Sequence, residues 1–83
     1  LGIIDEEPSP ADLLIIEQNL SLLKGYIKQL KPHYQQVINL RYFQDLSYKE
    51  MAEILNEPMS NIKVKLLRAK KILSEIILAN ESK

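Results

Sequence analysis

The stretch from Leu46 to Leu73 constrains the fold more than any other part of the chain, because it has the pattern of two helices joined by a tight turn. Ser47 and Glu50 stand three residues apart, which is the spacing of a capping box, so a short helix is predicted to begin at Tyr48. Apolar residues then recur at i, i+3, i+4 and i+7, which form one face of a helix. That face consists of Tyr48, Met51, Ala52 and Leu55.

The end of this helix and the start of the next are also marked in the sequence. Asn56 tolerates the left-handed conformation that ends many helices, and Pro58 prevents the helix from continuing. Ser60 is predicted to cap a second helix. The apolar positions of that helix are Ile62, Leu66, Ala69, Leu73 and Ile76. This is the pattern of a helix-turn-helix, with residues 61–71 as the recognition helix.

The second of these helices is strongly basic. Residues 58–74 contain five basic side chains and no acidic one, although the whole chain has a formal net charge of zero. A neutral chain that gathers positive charge on one helix is expected to contact a polyanion there. The alternative is a solvated helix face, but such a face usually interleaves glutamate with lysine at i, i+4 spacing. We therefore favour DNA as the partner.

Two further helices are predicted before this stretch. Ser9, Pro10 and Asp12 form a strong helix start, and the first helix is expected to continue to about Leu30. Pro32 then begins a second helix. The fold class is all-α, a four-helix DNA-binding domain with a C-terminal helix-turn-helix. The helices are expected near residues 10–30, 32–44, 47–55 and 60–79.

These four helices are predicted to share one small core. Its expected members are Leu20, Leu23, Ile27, Val37, Leu40, Phe43, Leu46, Ala52, Leu55, Ile62, Leu66 and Leu73. The first helix carries more apolar side chains than one packing face needs. We expect the surplus, Leu14, Ile15 and Leu22, to be exposed and to form part of a surface for a protein partner.

Composition argues against an enzyme, a metal site or a cofactor site. The chain has no cysteine, two glycines far apart and a single histidine, His33, which is expected to be an exposed polar residue near a loop. The absence of cysteine fits a cytoplasmic protein. No apolar run approaches the ~20 residues that cross a bilayer, so no membrane partner is expected. Residues 1–8 are predicted to be a linker and residues 9–83 the domain. Because the chain begins with Leu1 rather than methionine, we expect it to be a piece of a longer protein.

Two segments resemble the fourth conserved region of bacterial sigma factors, particularly those of the extracytoplasmic-function group. They are LKPHYQQVINLRYFQDLSYKEMAEIL and PMSNIKVKLLRAKKIL. The resemblance implies a domain whose last helix enters the major groove of the −35 promoter element in double-stranded DNA. It also implies binding to the RNA polymerase core (β flap, β′) and, in many members, to an anti-sigma factor. Under this resemblance residues 1–8 are the remnant of an interdomain linker.

The face of the recognition helix that reads DNA can be predicted from helical geometry. At 100° per residue, the side opposite the apolar positions carries Ser60, Val64, Leu67, Arg68 and Lys71, with Asn61, Lys63, Lys65 and Lys70 on its flanks. We expect Arg68 to contact guanine and the lysines at 65, 70 and 71 to contact phosphates. Val64 and Leu67 are expected to touch thymine methyl groups, or to pack on a neighbouring domain.

Some positions depart from the family's usual pattern. Glu57 replaces a residue that is usually apolar, Val64 one that is often serine, and Leu67 one that is often aromatic or histidine. The resemblance therefore does not imply a particular promoter sequence.

Two other readings remain open at this point. A helix-turn-helix regulator of the four-helix response-regulator type has a similar pattern, but it typically dimerises through a further helix. A protein-interaction module that binds polymerase or an anti-sigma factor would use the apolar surface of the first helix instead of the basic one.

Overall fold

The computed structural model describes residues 9–81, and within that range all regular structure is helical. The helices are α1 (Pro10–Ile16), α2 (Leu20–Ile27), α3 (Pro32–Ile38), α4 (Tyr48–Leu55) and α5 (Met59–Glu81), and a π-helical segment, Asn39–Phe43, continues α3. The predicted all-α class and the C-terminal helix-turn-helix are confirmed. No helix in the described range is both long enough and apolar enough to cross a membrane. The linker predicted for residues 1–8 lies outside the described residues.

The predicted single helix over residues 10–30 is wrong, because the chain turns between Ile16 and Leu20. The side chain of Asn19 caps α2 by accepting hydrogen bonds from the N–H groups of Ser21 (2.9 Å) and Leu22 (3.4 Å). An asparagine side chain competes in this way with the backbone bonds that would continue a helix. The N-cap of α2 at Asn19 therefore interrupts the predicted helix. Gly25 lies inside α2 and does not break it.

This turn changes which apolar side chains of α1 and α2 face the core. Ile15 is completely buried, so its predicted exposure is wrong, and Leu14 is partly buried. Leu22 is exposed, as predicted. Ile16 and Leu20 are 63% and 54% exposed, because the pattern of one continuous helix does not apply across the turn. The core position predicted for Leu20 is therefore wrong.

Phe43 is the other predicted core residue that the structure places at the surface. It lies at the end of the π-helical segment, where the Gln44 N–H bonds to the Asn39 carbonyl five residues earlier (3.1 Å). A π-helical turn contains more residues than an α-helical turn, so it rotates the side chains that follow it. Predicted members that the structure does bury are Leu23, Ile27, Val37, Leu40, Ile62, Leu66 and Leu73, while Leu46, Ala52 and Leu55 pack partly buried against them. Buried residues that the predicted core omitted are Ile15, Leu30, Ile38, Met51, Ala69 and Ile77.

Helix α5 is the element on which the others pack, since it contacts α1, α2, α3 and α4. Its buried side chains are Ile62, Leu66, Ala69, Leu73 and Ile77. Four of these are among the apolar positions predicted for this helix, although the predicted core did not include Ala69, and at the fifth position Ile77 rather than Ile76 is fully buried. The helix begins at Met59, so Ser60 lies inside its first turn and the predicted N-cap is wrong. Instead the Pro58 carbonyl accepts the first backbone bonds, from Asn61 (3.0 Å) and Ile62 (3.2 Å).

Candidate nucleic-acid interface

Hydrogen bonds between neighbouring residues define both ends of α4, the first helix of the helix-turn-helix. The Ser47 hydroxyl accepts from the Glu50 N–H (3.1 Å), and the Glu50 carboxylate accepts from the Ser47 N–H (2.8 Å), which confirms the capping box. Asn56 takes the predicted left-handed conformation (φ 55°, ψ 45°). The Glu57 N–H then bonds back to the Ala52 carbonyl (3.1 Å), which completes a Schellman-type helix end.

The first half of α5 presents its outer side to solvent, as the helical geometry predicted. Ser60, Asn61, Val64, Leu67, Arg68 and Lys71 are all exposed. The contrast is sharpest between neighbouring leucines, because Leu66 is 1% exposed and Leu67 is 66% exposed. An exposed row that mixes polar, cationic and apolar side chains has the chemistry needed to contact base edges and thymine methyl groups. We call this row the reading face. That it contacts DNA remains a prediction.

On one flank of the reading face, cations gather around the ring of Tyr48. The Lys63 ammonium lies 5.9 Å from the centre of that ring, and the Arg41 guanidinium lies 5.2 Å from it. Cations at this distance are attracted by the negative face of an aromatic ring. Arg41 also donates a hydrogen bond to the Leu46 carbonyl (2.8 Å), which ties the end of α3 to the corner before α4. Lys63 is thus held beside the N-terminus of α4.

The opposite flank carries an ion pair that the sequence reading missed. The Lys65 ammonium lies 2.8 Å and 3.0 Å from the two carboxylate oxygens of Glu57, in the turn between α4 and α5. Glu57 departs from the family pattern, but the sequence does not indicate its partner. The eight-residue separation crosses the turn, so the i, i+4 rule for a single helix does not reveal the pair.

Lys70 faces the body of the protein. Its ammonium lies 3.3 Å from the Asp12 carboxylate of α1, and the Lys70 side chain is only 12% exposed. The Tyr42 hydroxyl donates a hydrogen bond to the same carboxylate. Because its ammonium is held inside the protein, Lys70 does not suit the phosphate contact predicted for it. The ion pair connects α1 to α5 across 58 residues of sequence, a contact that no local pattern indicates.

The electrostatics of this cluster follow from its contacts. Burial opposes the ionisation of Asp12, but hydrogen bonds from Tyr42 and Ser9 and the charge of Lys70 outweigh it, so the pKa of Asp12 lies below its ordinary value. Burial and the hydrogen bond to Asp12 raise the pKa of the Tyr42 phenol. Asp12 is therefore a carboxylate at neutral pH, and Tyr42 is its neutral donor.

A groove of about 240 Å³ runs beside the reading face. His33 and Tyr34, at the start of α3, form one wall. The α5 side is lined by Asn61, Val64, Lys65 and Arg68, with Glu57 from the preceding turn. The predicted exposure of His33 is confirmed, but its place opposite the recognition helix was not expected. Across residues 9–81, no three His, Cys, Asp or Glu side chains lie together in a way that could hold a metal ion.

Comparison with known proteins assigns the chain to a family. The family model described as "Sigma-70, region 4" matches residues 20–73, from the start of α2 into the second half of α5. The chain is 34% identical over 68 residues to the ECF RNA polymerase sigma factor SigM of Bacillus subtilis, an alignment covering 82% of this chain and 40% of SigM. It is 44% identical over 48 residues to the RNA polymerase sigma factor YlaC of the same organism, covering 58% of this chain and 28% of YlaC.

The chain thus spans less than half the length of these two relatives. No solved structure matches it. The family match extends over the complete helix-turn-helix and over more than half of the chain. This chain belongs to the sigma-70 region 4 family.

Proposed function

We propose that the chain is the promoter-binding domain of a bacterial sigma factor, and that α5 enters the major groove of the −35 element. The observation that carries the proposal is the exposed reading face on α5. It lies on the recognition helix of a complete helix-turn-helix, in a chain that belongs to the sigma-70 region 4 family. A helix-turn-helix regulator of the response-regulator type receives less support, because the family model that matches this chain is that of sigma-70 region 4. In this proposal the part of the domain in transcription initiation is to position polymerase at the promoter.

Within the reading face, discrimination between bases falls to a few side chains. Arg68 is exposed and carries a guanidinium, which can donate two parallel hydrogen bonds to guanine O6 and N7. The next candidates for base contacts are Asn61 in the first turn of α5 and Lys63 on the flank of the reading face. Val64 and Leu67 keep their apolar surfaces exposed, which suits the methyl groups of thymine.

Phosphate contacts position the helix without reading sequence. Lys71 is exposed and lies later in α5, beyond the first two turns, so we assign it to a phosphate. Ser60 is exposed in the first turn of α5 and can donate its hydroxyl to a phosphate oxygen. These contacts supply affinity that falls as salt concentration rises.

A second surface is assigned to RNA polymerase core. Ile16, Leu20 and Phe43 surround an open groove of about 340 Å³ whose floor includes Ile15 and Leu23. Exposed apolar side chains around a groove are typical of protein-binding surfaces. Polymerase core, through its β flap or β′ subunit, is the partner that the family suggests. An anti-sigma factor that covers this groove would compete with polymerase.

The proposal is tested by selecting duplexes from a random double-stranded library with the full chain at low salt. We expect one short motif to be enriched, and its duplex to bind more tightly than a scrambled duplex when both are titrated by fluorescence anisotropy. Enrichment of a motif in the form of two symmetric half-sites, with a dimer on size-exclusion chromatography, would favour a dimeric regulator. No binding to any duplex at low salt would leave a protein-interaction module as the better account.

A further inference from the structure

The ion pair between Glu57 and Lys65 has a consequence for how strongly the domain binds any DNA. Lys65 stands on the α5 wall of the groove beside the reading face. If the reading face approaches DNA as proposed above, a free ammonium at this place would be positioned for a phosphate contact. Its ammonium is instead held by both carboxylate oxygens of Glu57, at 2.8 Å and 3.0 Å. A phosphate contact by Lys65 would require this two-point pairing to break.

The pair is more sheltered than an ordinary surface ion pair. The side chains of Lys65 and Glu57 are 21% and 30% exposed, so less water and salt screen their attraction than at a fully exposed site. The backbone of Glu57 is also anchored, because its N–H bonds to the Ala52 carbonyl (3.1 Å) at the end of α4. The carboxylate is thus presented to Lys65 from a fixed turn rather than from a mobile loop.

The carboxylate has a second effect through its position. Glu57 lines the same groove as Asn61, Val64 and Arg68, which belong to the reading face. A negative charge at this place repels phosphates on any duplex that enters, whatever its sequence. While the pair is closed, Lys65 neutralises this carboxylate. If Lys65 left it for a phosphate, the carboxylate would face that phosphate uncompensated, so its position adds to the cost of releasing Lys65.

We propose that Glu57 limits sequence-independent DNA binding by holding Lys65 away from the phosphate backbone. This inference rests on the proposed function, since it assumes that the reading face approaches DNA. Phosphate contacts supply essentially all of non-specific affinity. A domain with one fewer such contact spends less time on the many competing sites of a genome.

The central test is Glu57→Gln, which removes the negative charge and releases Lys65. One additional phosphate contact steepens the dependence of log K on log salt by about 0.9. We expect a gain in affinity of roughly tenfold at 50 mM salt and roughly threefold at 200 mM salt. Because a phosphate contact carries no sequence information, the gain should be equal for the selected duplex and for a scrambled one. No gain, or a gain confined to one duplex, would overturn the proposal.

Glu53→Gln is the matched control for the change in net charge. Glu53 is exposed on α4, and its substitution removes one negative charge while leaving the Glu57–Lys65 pair in place. We expect it to leave the salt slope unchanged. A change in slope as large as that of Glu57→Gln would mean that overall charge, rather than release of Lys65, governs the effect.

The double variant Glu57→Gln/Lys65→Met tests whether Lys65 already contacts phosphate in the wild-type complex. If the pair stays closed on DNA, the double variant should retain the wild-type salt slope and bind both duplexes within about twofold of the wild type. A slope that is shallower by about one unit would show that Lys65 binds phosphate despite Glu57, and would overturn the proposal. Circular dichroism melting curves check that every variant is folded.

Failure of this inference can be distinguished from failure of the proposed function. If the wild-type chain prefers its selected duplex and Glu57→Gln changes neither affinity nor slope, only the role of Glu57 is wrong. If the wild-type chain shows no preference but Glu57→Gln still raises affinity in a salt-dependent way, the role of Glu57 stands and promoter recognition is wrong.

Discussion

The outer side of α5 and the apolar groove at α1 and α2 both expose large apolar side chains, but they differ in what surrounds those side chains. On α5, Arg68 follows Val64 by four residues and Lys71 follows Leu67 by four, so each exposed apolar side chain has a cation one helical turn away. The groove next to Ile16 is lined by apolar, aromatic and amide side chains and by no charged one. A surface of the first kind suits a polyanion with methyl groups, and a surface of the second kind suits another protein. Exposed apolar area by itself therefore does not indicate the class of partner, whereas the charge around that area does.

The largest expected effect comes from the shared core beneath α5. Leu66→Ala should lower the free energy of unfolding by about 2–5 kcal/mol, because it leaves a cavity where a completely packed leucine stood. Leu67→Ala is the matched control, since the neighbouring leucine is mostly exposed. It should leave stability almost unchanged and weaken DNA binding. Urea unfolding of both variants measures the difference, and equal destabilisation would show that the orientation of α5 is wrong.

The next effect separates reading from positioning on α5. Arg68→Ala should cost about 1–3 kcal/mol in binding to the selected duplex and relax one base position, because a guanidinium–guanine contact is lost. Lys71→Ala should weaken binding to all duplexes equally and flatten the salt slope by about one unit. Titration of both variants against selected and scrambled duplexes at two salt concentrations tests the assignment. An equal loss on both duplexes for Arg68→Ala would make Arg68 a phosphate contact.

A smaller effect is expected at the apolar groove. Ile16→Ser should weaken binding to RNA polymerase core by about 1 kcal/mol, because serine lacks the apolar area of isoleucine that the complex would bury. DNA affinity should remain that of the wild type. The measurement is a pull-down with core enzyme, paired with an anisotropy titration on DNA. If Ile16→Ser lowered DNA affinity instead, the division between the two surfaces would be wrong.

The smallest effect concerns Asp12, which joins α1 to α5. Its pKa is lowered in the folded state, so its contribution to stability is present above the unfolded pKa of about 3.8 and is lost as pH falls through the folded value. Asp12→Asn should therefore lower the thermal midpoint at pH 7, and the difference from the wild type should shrink as the pH falls below 4. Melting curves from pH 2 to pH 7 test this. A difference that stays constant with pH would mean that the ionised carboxylate contributes nothing.

The features that the sequence predicted correctly are those determined by residues close together in the chain. The capping box at Ser47, the left-handed Asn56 and the buried side of α5 each follow from a spacing of a few positions. The interruption at Asn19 was missed because the hydrophobic pattern continues across it, and only the choice between a capping bond and a helical bond decides the outcome. The exposure of Phe43 was missed because a π-helical turn leaves no mark in apolar periodicity.

The ion pairs of α5 were beyond sequence reasoning for a different reason. Lys70 and Asp12 are brought together only when α1 packs on α5, and Lys65 meets Glu57 only after the turn at Asn56 is formed. The sequence places the five cations of the helix on its faces but does not show which of them meet a carboxylate. Tertiary contacts divide them, leaving Arg68 and Lys71 exposed while Lys65 and Lys70 are paired with carboxylates.

The contrast between the two surfaces is tested most directly by mapping amide chemical shifts of the full chain while the selected duplex is added. We expect the shifted resonances to belong to residues 59–71 and to His33 across the groove, whereas the resonances of Ile16, Leu20 and Phe43 stay in place. Shifts concentrated at α1 and α2, with the first half of α5 unchanged, would contradict the assignment of DNA to the recognition helix.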